Sequence, residues 1–242
     1  MSWPPPVEIY TPNGTSDIVL LCEHASNHIP AEYHSLGLQP SDLQRHIAWD
    51  PGAAELTRRL SKRLDAPAFL GSCSRLLIDL NRPLDAPDSI VTRSETTDIP
   101  GNMGLAPEER IRRVQTIFQP FHLAVTEYLD LRSRSGQPTR LVSLHSFTPA
   151  FHGVTRPWHG GVLFEQAEEF GLDLVRRLNQ PGSLVGANVP YKTSRTEDYA
   201  VPIHGDDRGI PAVLIEIRND QIATKAGMDA WADRLSTALL AF

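Results

Sequence analysis

Polar side chains able to bind a metal ion follow two apolar runs of the sequence. After the first run, residues 17–22, come a carboxylate, two imidazoles and an amide: Glu23, His24, Asn27 and His28. They either cap the end of a strand and pack locally, or they hold a ligand. After the second run, residues 140–144, comes His145. We regard His24 and His145 as the best pair of metal ligands, because a carbonyl or carboxylate beyond each strand can orient the ring.

A catalytic zinc site usually has three protein ligands, so two histidines leave one to find. The candidates for this position are Asp50, Glu23, Asn27 and His28. We favour Asp50, which ends the segment HIAWD before Pro51-Gly52, although an ordinary helix N-cap would also explain an aspartate there. Asn27 is less favoured because zinc is seldom bound by a neutral amide. Glu23 is less favoured because neighbouring strand residues face opposite ways.

A buried carboxylate is expected near the other end of the chain. Glu216 lies within the apolar run 212–217, where an unpaired carboxylate is costly. Two explanations remain open. Glu216 forms an ion pair with an arginine such as Arg218, or it is a general base with a raised pKa that takes a proton from water.

Residues that follow apolar runs or lie in long loops are candidates for binding a substrate carboxylate, which arginine can contact with two hydrogen bonds. The candidates are Asn81, Arg82, Arg156, Arg208 and Arg218. Arg156 and Arg208 lie in loops, where solvated charge is the alternative explanation. The histidines without such a setting are interpreted as surface or helix residues: His34, His46, His122 and His152.

The elements that must position these groups follow from the hydrophobic pattern. Short apolar runs bounded by turn residues predict strands over 17–22, 75–80, 140–144, 160–164 and 212–217. Segments of helical period lie over 41–64, 107–132, 165–179 and 222–242, the first with a break at Pro51-Gly52. The alternation predicts an α/β domain spanning 1–242, with a three-layer α/β/α architecture and a mostly parallel central sheet. The polar residues after the strands would then meet at one edge, where such sheets bind ligands.

Composition excludes several classes of function. The net charge is −6 and no tract of lysine and arginine stands out, which argues against general nucleic-acid binding. No apolar run approaches the ~20 residues of a membrane span. The start, MSWPPPVEIY, has no basic segment followed by an apolar one, so no signal peptide is expected. Cys22 and Cys73 are interpreted as buried thiols, and we expect a soluble cytoplasmic protein.

Several motifs in fixed order carry a family resemblance. They are LCEHASNHIP, HIAWDPGA, RLLIDLNRP, SLHSFTP, RPWHGGVL and HGDDRGIPAVLIEIRND. Over about residues 17–222 they resemble the N-formylglutamate amidohydrolase family. The resemblance implies a fold similar to zinc carboxypeptidases, one zinc ion, and hydrolysis of an N-formyl amide to formate and a free amino acid.

The wider similarity to zinc carboxypeptidases implies roles for individual residues. In those enzymes a strand-end histidine is followed three residues later by glutamate, a distant histidine completes the site, and a glutamate before Leu-Arg is the base. Glu216-Ile217-Arg218 resembles the last motif and His145 the distant ligand. Asn27 stands where the glutamate ligand would be, so Asp50 is the expected replacement. Asn81-Arg82 resembles the pair that holds a substrate carboxylate.

Three functions are therefore considered. The first is a zinc-dependent hydrolase of N-formyl-L-glutamate, an acidic amino-acid derivative. The second is an amidohydrolase of another N-acyl amino acid or peptide-like compound, since a fold does not fix a substrate. The third is a non-catalytic carboxylate-binding protein, which the departure at Asn27 would explain. A serine hydrolase that uses Ser143 or Ser146 is less favoured, because the sequence lacks Gly-x-Ser-x-Gly.

Overall fold

The computed structural model describes residues 3–241. Residues 1, 2 and 242, which the predicted domain includes, lie outside this range. The strands are β1 (Val7–Tyr10), β2 (Ile18–Cys22), β3 (Ala68–Gly71), β4 (Arg93–Ser94), β5 (Thr97–Asp98), β6 (Arg140–Phe147), β7 (Ala150–Phe151), β8 (Val154–Thr155), β9 (Gly160–Leu163), β10 (Val185–Ala187) and β11 (Ala212–Arg218). The α-helices are α1 (Ala53–Leu64), α2 (Pro107–Arg113), α3 (Gln119–Arg134), α4 (Glu168–Leu178) and α5 (Lys225–Leu239).

A seven-stranded sheet in the order β1-β3-β2-β6-β11-β9-β10 forms the centre of the fold. Its middle strands β3, β2, β6 and β11 are parallel to one another. Strand β1 is antiparallel to β3, and β9 is antiparallel to β11 and parallel to β10. The remaining strands form two small hairpins, β4–β5 and β7–β8. The prediction of an α/β fold with a mostly parallel sheet is confirmed.

Apolar side chains cover the sheet on both faces. Strand β2 shows why: Leu20 joins a core that includes α1, α4 and α5, while Val19 and Leu21 join a second core that includes α3. A strand buried on both faces reads as a continuous apolar run rather than an alternating one. The run Ile-Val-Leu-Leu-Cys is therefore typical of a central parallel strand, and its carboxyl end is fixed in position.

The predicted strand over 75–80 is wrong. These residues form turns, with the Leu77 amide donating to the Ser74 carbonyl oxygen at 3.0 Å. Strand β3 takes the place beside β2 instead. The apolar side chains Leu76, Leu77 and Ile78 are nevertheless buried. Their pattern predicted burial correctly but not the backbone conformation, because a short apolar run does not specify one.

The helix predicted over 41–64 begins only at Ala53. Gly52 precedes it with a φ of 87°, a left-handed conformation that glycine adopts without strain. Asp50 lies two residues ahead of this N-cap, so N-capping does not explain it. The other predicted helices correspond to α2 and α3, to α4 and to α5. A π-helical turn, Val114–Phe118, joins α2 to α3.

Candidate metal centre

His24 presents one free ring nitrogen to the centre of the site. It follows β2, whose burial leaves this residue only 2% exposed. Its Nε2–H donates to Asp79 Oδ1 at 2.7 Å, while its Nδ1 is buried without a hydrogen-bond partner. A carboxylate on one ring nitrogen orients the other as a metal ligand.

His145 is arranged in the same way from the neighbouring strand. It lies within β6, and its Nε2–H donates to Glu23 Oε2 at 2.9 Å. Its Nδ1 lies 2.9 Å from Asp50 Oδ2. Each histidine therefore has its own carboxylate on Nε2, and both Nδ1 atoms face the same point.

Asp50 completes the cluster. Its Oδ2 atom lies 3.4 Å from His24 Nδ1 as well as 2.9 Å from His145 Nδ1. The atoms that the three side chains can offer lie within 4.8 Å of one another, and all three residues are buried. Two imidazole nitrogens and a carboxylate oxygen are a donor set that suits a divalent metal such as zinc. The unpartnered Nδ1 of His24 fits a metal ligand.

The buried charges of this cluster shift one another's pKa values. Burial alone raises the pKa of a carboxyl, but the imidazoles of His24 and His145 outweigh it and lower the pKa of Asp50. Burial alone lowers the pKa of an imidazole, yet hydrogen bonds with Asp50 and Glu23 raise the pKa of His145 well above its ordinary value. A metal that binds His145 must displace a proton, so metal binding is coupled to proton release.

Glu216 stands beside the cluster as a buried carboxyl. It is the register partner of His145 on the adjacent parallel strand β11, which places the two side chains on the same face. Burial raises the pKa of Glu216 to about 7. Within residues 3–241 no lysine, arginine or histidine nitrogen lies within 4 Å of its carboxylate oxygens, and Arg218 pairs with Asp220 instead. The ion-pair explanation for Glu216 is therefore wrong, and its Oε2 lacks a hydrogen-bond partner.

These groups open into a cavity of about 280 Å³ at the carboxyl ends of the parallel strands. His24, Asp50, His145 and Glu216 all line it. Its other ionisable lining residues are His46, Arg75, Arg82, Lys192, Glu197 and Asp198. Its aromatic lining residues are Phe147, Phe151 and Tyr191. A concave site with convergent polar groups and a carboxyl of raised pKa is typical of an active site.

Comparison with known proteins agrees with the motifs. A family model described as N-formylglutamate amidohydrolase matches residues 16–223. The chain belongs to the N-formylglutamate amidohydrolase family. Membership of this family supports a hydrolase that acts on a small molecule.

Solved structures show the same fold. A gene product of Agrobacterium tumefaciens is 35% identical with a TM-score of 0.93, over 96% of this chain and 92% of that chain. An N-formylglutamate amidohydrolase from Ralstonia eutropha is 21% identical with a TM-score of 0.70, over 98% of this chain and 96% of that chain. At that identity the second likeness concerns the fold alone. No curated protein matches the chain. Within residues 3–241, every helix is too short or too polar to cross a membrane.

In this member of the N-formylglutamate amidohydrolase family, the alternative third ligands have other contacts. Glu23 accepts the Nε2–H of His145. Asn27 donates from Nδ2 to the Leu43 carbonyl oxygen at 2.8 Å, and His28 is exposed. Of the four candidates, Asp50 alone has an oxygen close to both Nδ1 atoms.

The predicted carboxylate-binding residues divide into two groups. Arg82 lines the cavity, as does Asn81, whose Oδ1 accepts from the amides of Tyr199 and Ala200 at 3.1 and 2.9 Å. The side chain of Asn81 thus holds a loop rather than facing a ligand freely. Arg156 packs against rings that line the cavity.

Arg208 and Arg218 are not brought to the cavity. Arg208 binds Asp130 of α3 at 2.6 Å. Arg218 binds Asp220 and donates to the Arg156 carbonyl oxygen at 3.0 Å, so it supports the loop that carries Arg156.

Sequence reasoning missed one arginine of the site. Arg75 lines the cavity, binds Asp79 Oδ2 at 2.7 Å and lies 3.4 Å from Asp50 Oδ1. Its spacing of four residues from Asp79 was the available signal, because an arginine and an aspartate at that spacing can meet in a turn. The incorrect strand over 75–80 hid this signal, since in a strand the two side chains would stand far apart.

Proposed function

We propose that this chain is a metal-dependent hydrolase that cleaves the N-formyl amide of an amino acid to formate and the free amino acid. N-formyl-L-glutamate, the substrate in the family's name, is the first candidate, and another N-acyl amino acid is the second. One observation carries the proposal: two imidazole nitrogens and a carboxylate oxygen converge beside a buried carboxyl with a pKa of about 7. All four residues line one cavity.

His24, Asp50 and His145 would hold the metal, and their mixed nitrogen and oxygen donors favour zinc. Zinc bound there would act as a Lewis acid toward the formyl oxygen and would lower the pKa of water. Asp79 and Glu23 keep the two rings turned toward this point through the bonds to their Nε2 atoms. Partners of this kind also raise the basicity of the ligands.

Glu216 is the proposed general base. It takes a proton from the attacking water and passes it to the leaving nitrogen, so that water and amide become formate and amine. A base works best when its pKa lies near the operating pH, which burial provides for this carboxyl. Its place beside His145 on the adjacent strand is set by the register of the sheet rather than by a loop.

Arg82 and Arg156 are the proposed partners of the substrate carboxylate. Arg82 lines the cavity directly, and Arg156 is buried behind the lining rings. Arginine suits the role because its planar donors match a carboxylate.

The other functions considered have less support. Ser146 lines the cavity, but its hydroxyl donates to the Pro51 carbonyl oxygen at 2.9 Å rather than to a histidine. Ser143 donates to Glu23 and lies 3.0 Å from His145 Nε2, but it is fully buried and does not line the cavity. A serine nucleophile there would not reach a substrate. A carboxylate-binding protein without activity would have no use for a buried base beside a metal centre.

The test measures both the metal content of the protein and its release of formate. Protein purified without chelator should contain about one zinc per chain and release formate from N-formyl-L-glutamate or another N-formyl amino acid. Zinc without hydrolysis of any N-acyl amino acid would contradict the hydrolase. A protein that takes up no metal and gains no activity on adding zinc would contradict the metal centre.

A further inference from the structure

Aromatic side chains form the mouth of the cavity. Phe151, in the β7–β8 hairpin, is 38% exposed and Tyr191 is 42% exposed, and both line the cavity. The chain that carries Tyr191 lies directly against β9, where a Cβ on Gly161 would stand 1.6 Å from the Val189 carbonyl oxygen. Exposed apolar rings held at the entrance of a cavity are typical of a surface that binds an apolar group.

Arg156 is enclosed by the same rings. Its guanidinium lies 4.7 Å from the ring centre of Phe151, 4.9 Å from that of Tyr191 and 5.6 Å from that of Phe147. The residue is 8% exposed, yet in the described chain no carboxylate lies within 4 Å of it. Buried arginines are normally paired with an anion. Arg156 does not line the cavity itself and donates to the Thr148 carbonyl oxygen at a long 3.5 Å. Its other guanidinium donors are left for a ligand carboxylate that reaches past the rings of Phe151 and Tyr191.

The other arginines and the histidine around the cavity already have acidic partners. Arg75 binds Asp79 at 2.7 Å, Arg82 binds Asp88 at 2.8 Å, and His46 lies 3.2 Å from Glu95. Lys192 is the exception, since within residues 3–241 no carboxylate lies within 4 Å of it. It is exposed, however, and a solvated ammonium attracts a carboxylate only weakly.

We infer that the preferred substrate is an N-acyl amino acid with one carboxylate and an apolar side chain, and that Arg156 and Phe151 determine this specificity. The inference rests on the proposed function and favours its second candidate, another N-acyl amino acid, over N-formyl-L-glutamate. Of the two arginines proposed for the substrate carboxylate, Arg156 is the one without an acidic partner and binds it, while Phe151 and Tyr191 contact the side chain. A second carboxylate, as in glutamate, would share the cavity with Glu197 and Asp198 and have only Lys192 as an unpaired cation.

The first experiment compares kcat/KM for four N-formyl compounds: those of L-phenylalanine, L-leucine, L-glutamate and phenethylamine. The phenylalanine and leucine derivatives should exceed the glutamate derivative by about tenfold or more, the range expected for apolar contacts in a pocket. The phenethylamine derivative, which lacks the carboxylate, should be a poor substrate. Preference for the glutamate derivative would overturn the inference and leave the proposed function intact.

Four variants at three positions assign the preference to residues. Phe151→Ala should lower the ratio of phenylalanine to glutamate activity about tenfold. Arg156→Met should reduce activity on the amino-acid derivatives but not on the phenethylamine derivative, and Arg156→Lys should recover only part of the loss. Lys192→Ala should leave the ratio at or above the wild-type value. A selective loss of glutamate activity in Lys192→Ala would overturn the inference. Thermal melts check that each variant is folded.

Binding provides a readout that does not need turnover. Calorimetric titration of the zinc-loaded Glu216→Gln variant, which should not turn over, with the phenylalanine and glutamate derivatives should show tighter binding of the former. No formate from any compound, with this binding order retained, would contradict the proposed hydrolysis and support the specificity. Equal or reversed binding would overturn the specificity alone.

Discussion

Glu216 is the residue whose substitution best separates chemistry from metal binding. Glu216→Gln keeps the shape of the side chain but cannot accept a proton. We expect kcat to fall by about 10²–10⁴-fold, the usual contribution of a general base. Zinc content should stay near the wild-type value, because Glu216 is not among the proposed ligands.

The matched control is Glu168→Gln, an exposed glutamate at the start of α4. It should keep both activity and zinc. Normal rates in Glu216→Gln would exclude this residue as the base, and loss of zinc in that variant would make it a ligand instead.

Asp79 acts on the metal centre through His24. Asp79→Asn weakens the interaction that orients the ring, so zinc affinity should fall by about 10–100-fold. Competition with a chromophoric chelator measures this loss without reference to activity. Asp88→Asn, which changes an exposed partner of Arg82, is the control and should bind zinc normally. Unchanged affinity in Asp79→Asn would mean that the protein holds the ring without this carboxylate.

For individual residues, the sequence indicated which side chains could take part in the site better than it indicated which partners they bind. His24, His145 and Glu216 were chosen because they follow or interrupt buried runs, and Asp50 because it precedes the break at Pro51-Gly52; the structure brings the four together. Arg208 was chosen from a long loop and Arg218 from the end of a run, but Asp130 and Asp220 bind them instead. Tertiary packing determines which of several carboxylates an arginine binds, and a sequence motif carries no information about that packing.

Helix α3 contributes His122 to a buried histidine pair, whose other member is His204. His122 Nε2–H donates to the Leu80 carbonyl oxygen at 2.9 Å, and His122 Nδ1 accepts from His204 Nε2–H at 2.9 Å. His204 belongs to a π-helical turn, Ala200–Gly205. Burial lowers the pKa of His122 to about 3 and that of His204 to about 4.

This pair should make the protein sensitive to acid. An unfolded histidine has a pKa of about 6.5, so below that pH the unfolded chain binds more protons than the folded one. The stabilisation is complete above about pH 6.5 and is lost as the pH falls toward the folded pKa values. For His204 the loss is about 3 kcal/mol, at ~1.4 kcal/mol per unit.

Urea unfolding between about pH 7 and about pH 5 measures this effect. In His204→Gln the decline in the free energy of unfolding should be shallower than in wild type, because one buried titrating group is gone. His28→Gln removes an exposed histidine and should retain the wild-type slope. Equal slopes in all three proteins would assign the acid sensitivity to other groups.

At the scale of elements, the sequence predicted helices with a strong hydrophobic period. It was wrong where two segments could fill the same place in the fold. Helix α4 carries its apolar residues on one face at helical spacing and was recognised. The strand over 75–80 failed because β3 pairs with β2 and β1 and leaves no place for it. The new start marked by Pro51-Gly52 corresponds to the helix start at Ala53. Residues 41–52 were wrongly included in the helical segment because they also carry buried apolar side chains, among them Ile47 and Ala48.

The molecule as a whole should remain folded without its metal. Asp50 keeps cationic partners in His145 and Arg75, and the two apolar cores do not depend on the site. Treatment with a chelator should abolish formate release and lower Tm by about 5–10 °C, the effect of losing a tight ligand from a chain of this size. Far-ultraviolet circular dichroism should not change. Loss of the spectrum on chelation would show that the metal is required for the fold.

The order of strands in the sheet also has a consequence for synthesis on the ribosome. Strand β11 lies between β6 and β9, so the centre of the sheet is incomplete until residue 218 has left the exit tunnel. His24 and Asp50 emerge early, but they meet His145 and Glu216 only when these distant strands pair, and such pairing is slow. The three proposed ligands lie on or beside β2 and β6, which neighbour each other, so Glu216 of β11 is the last of the proposed active-site groups to reach the site.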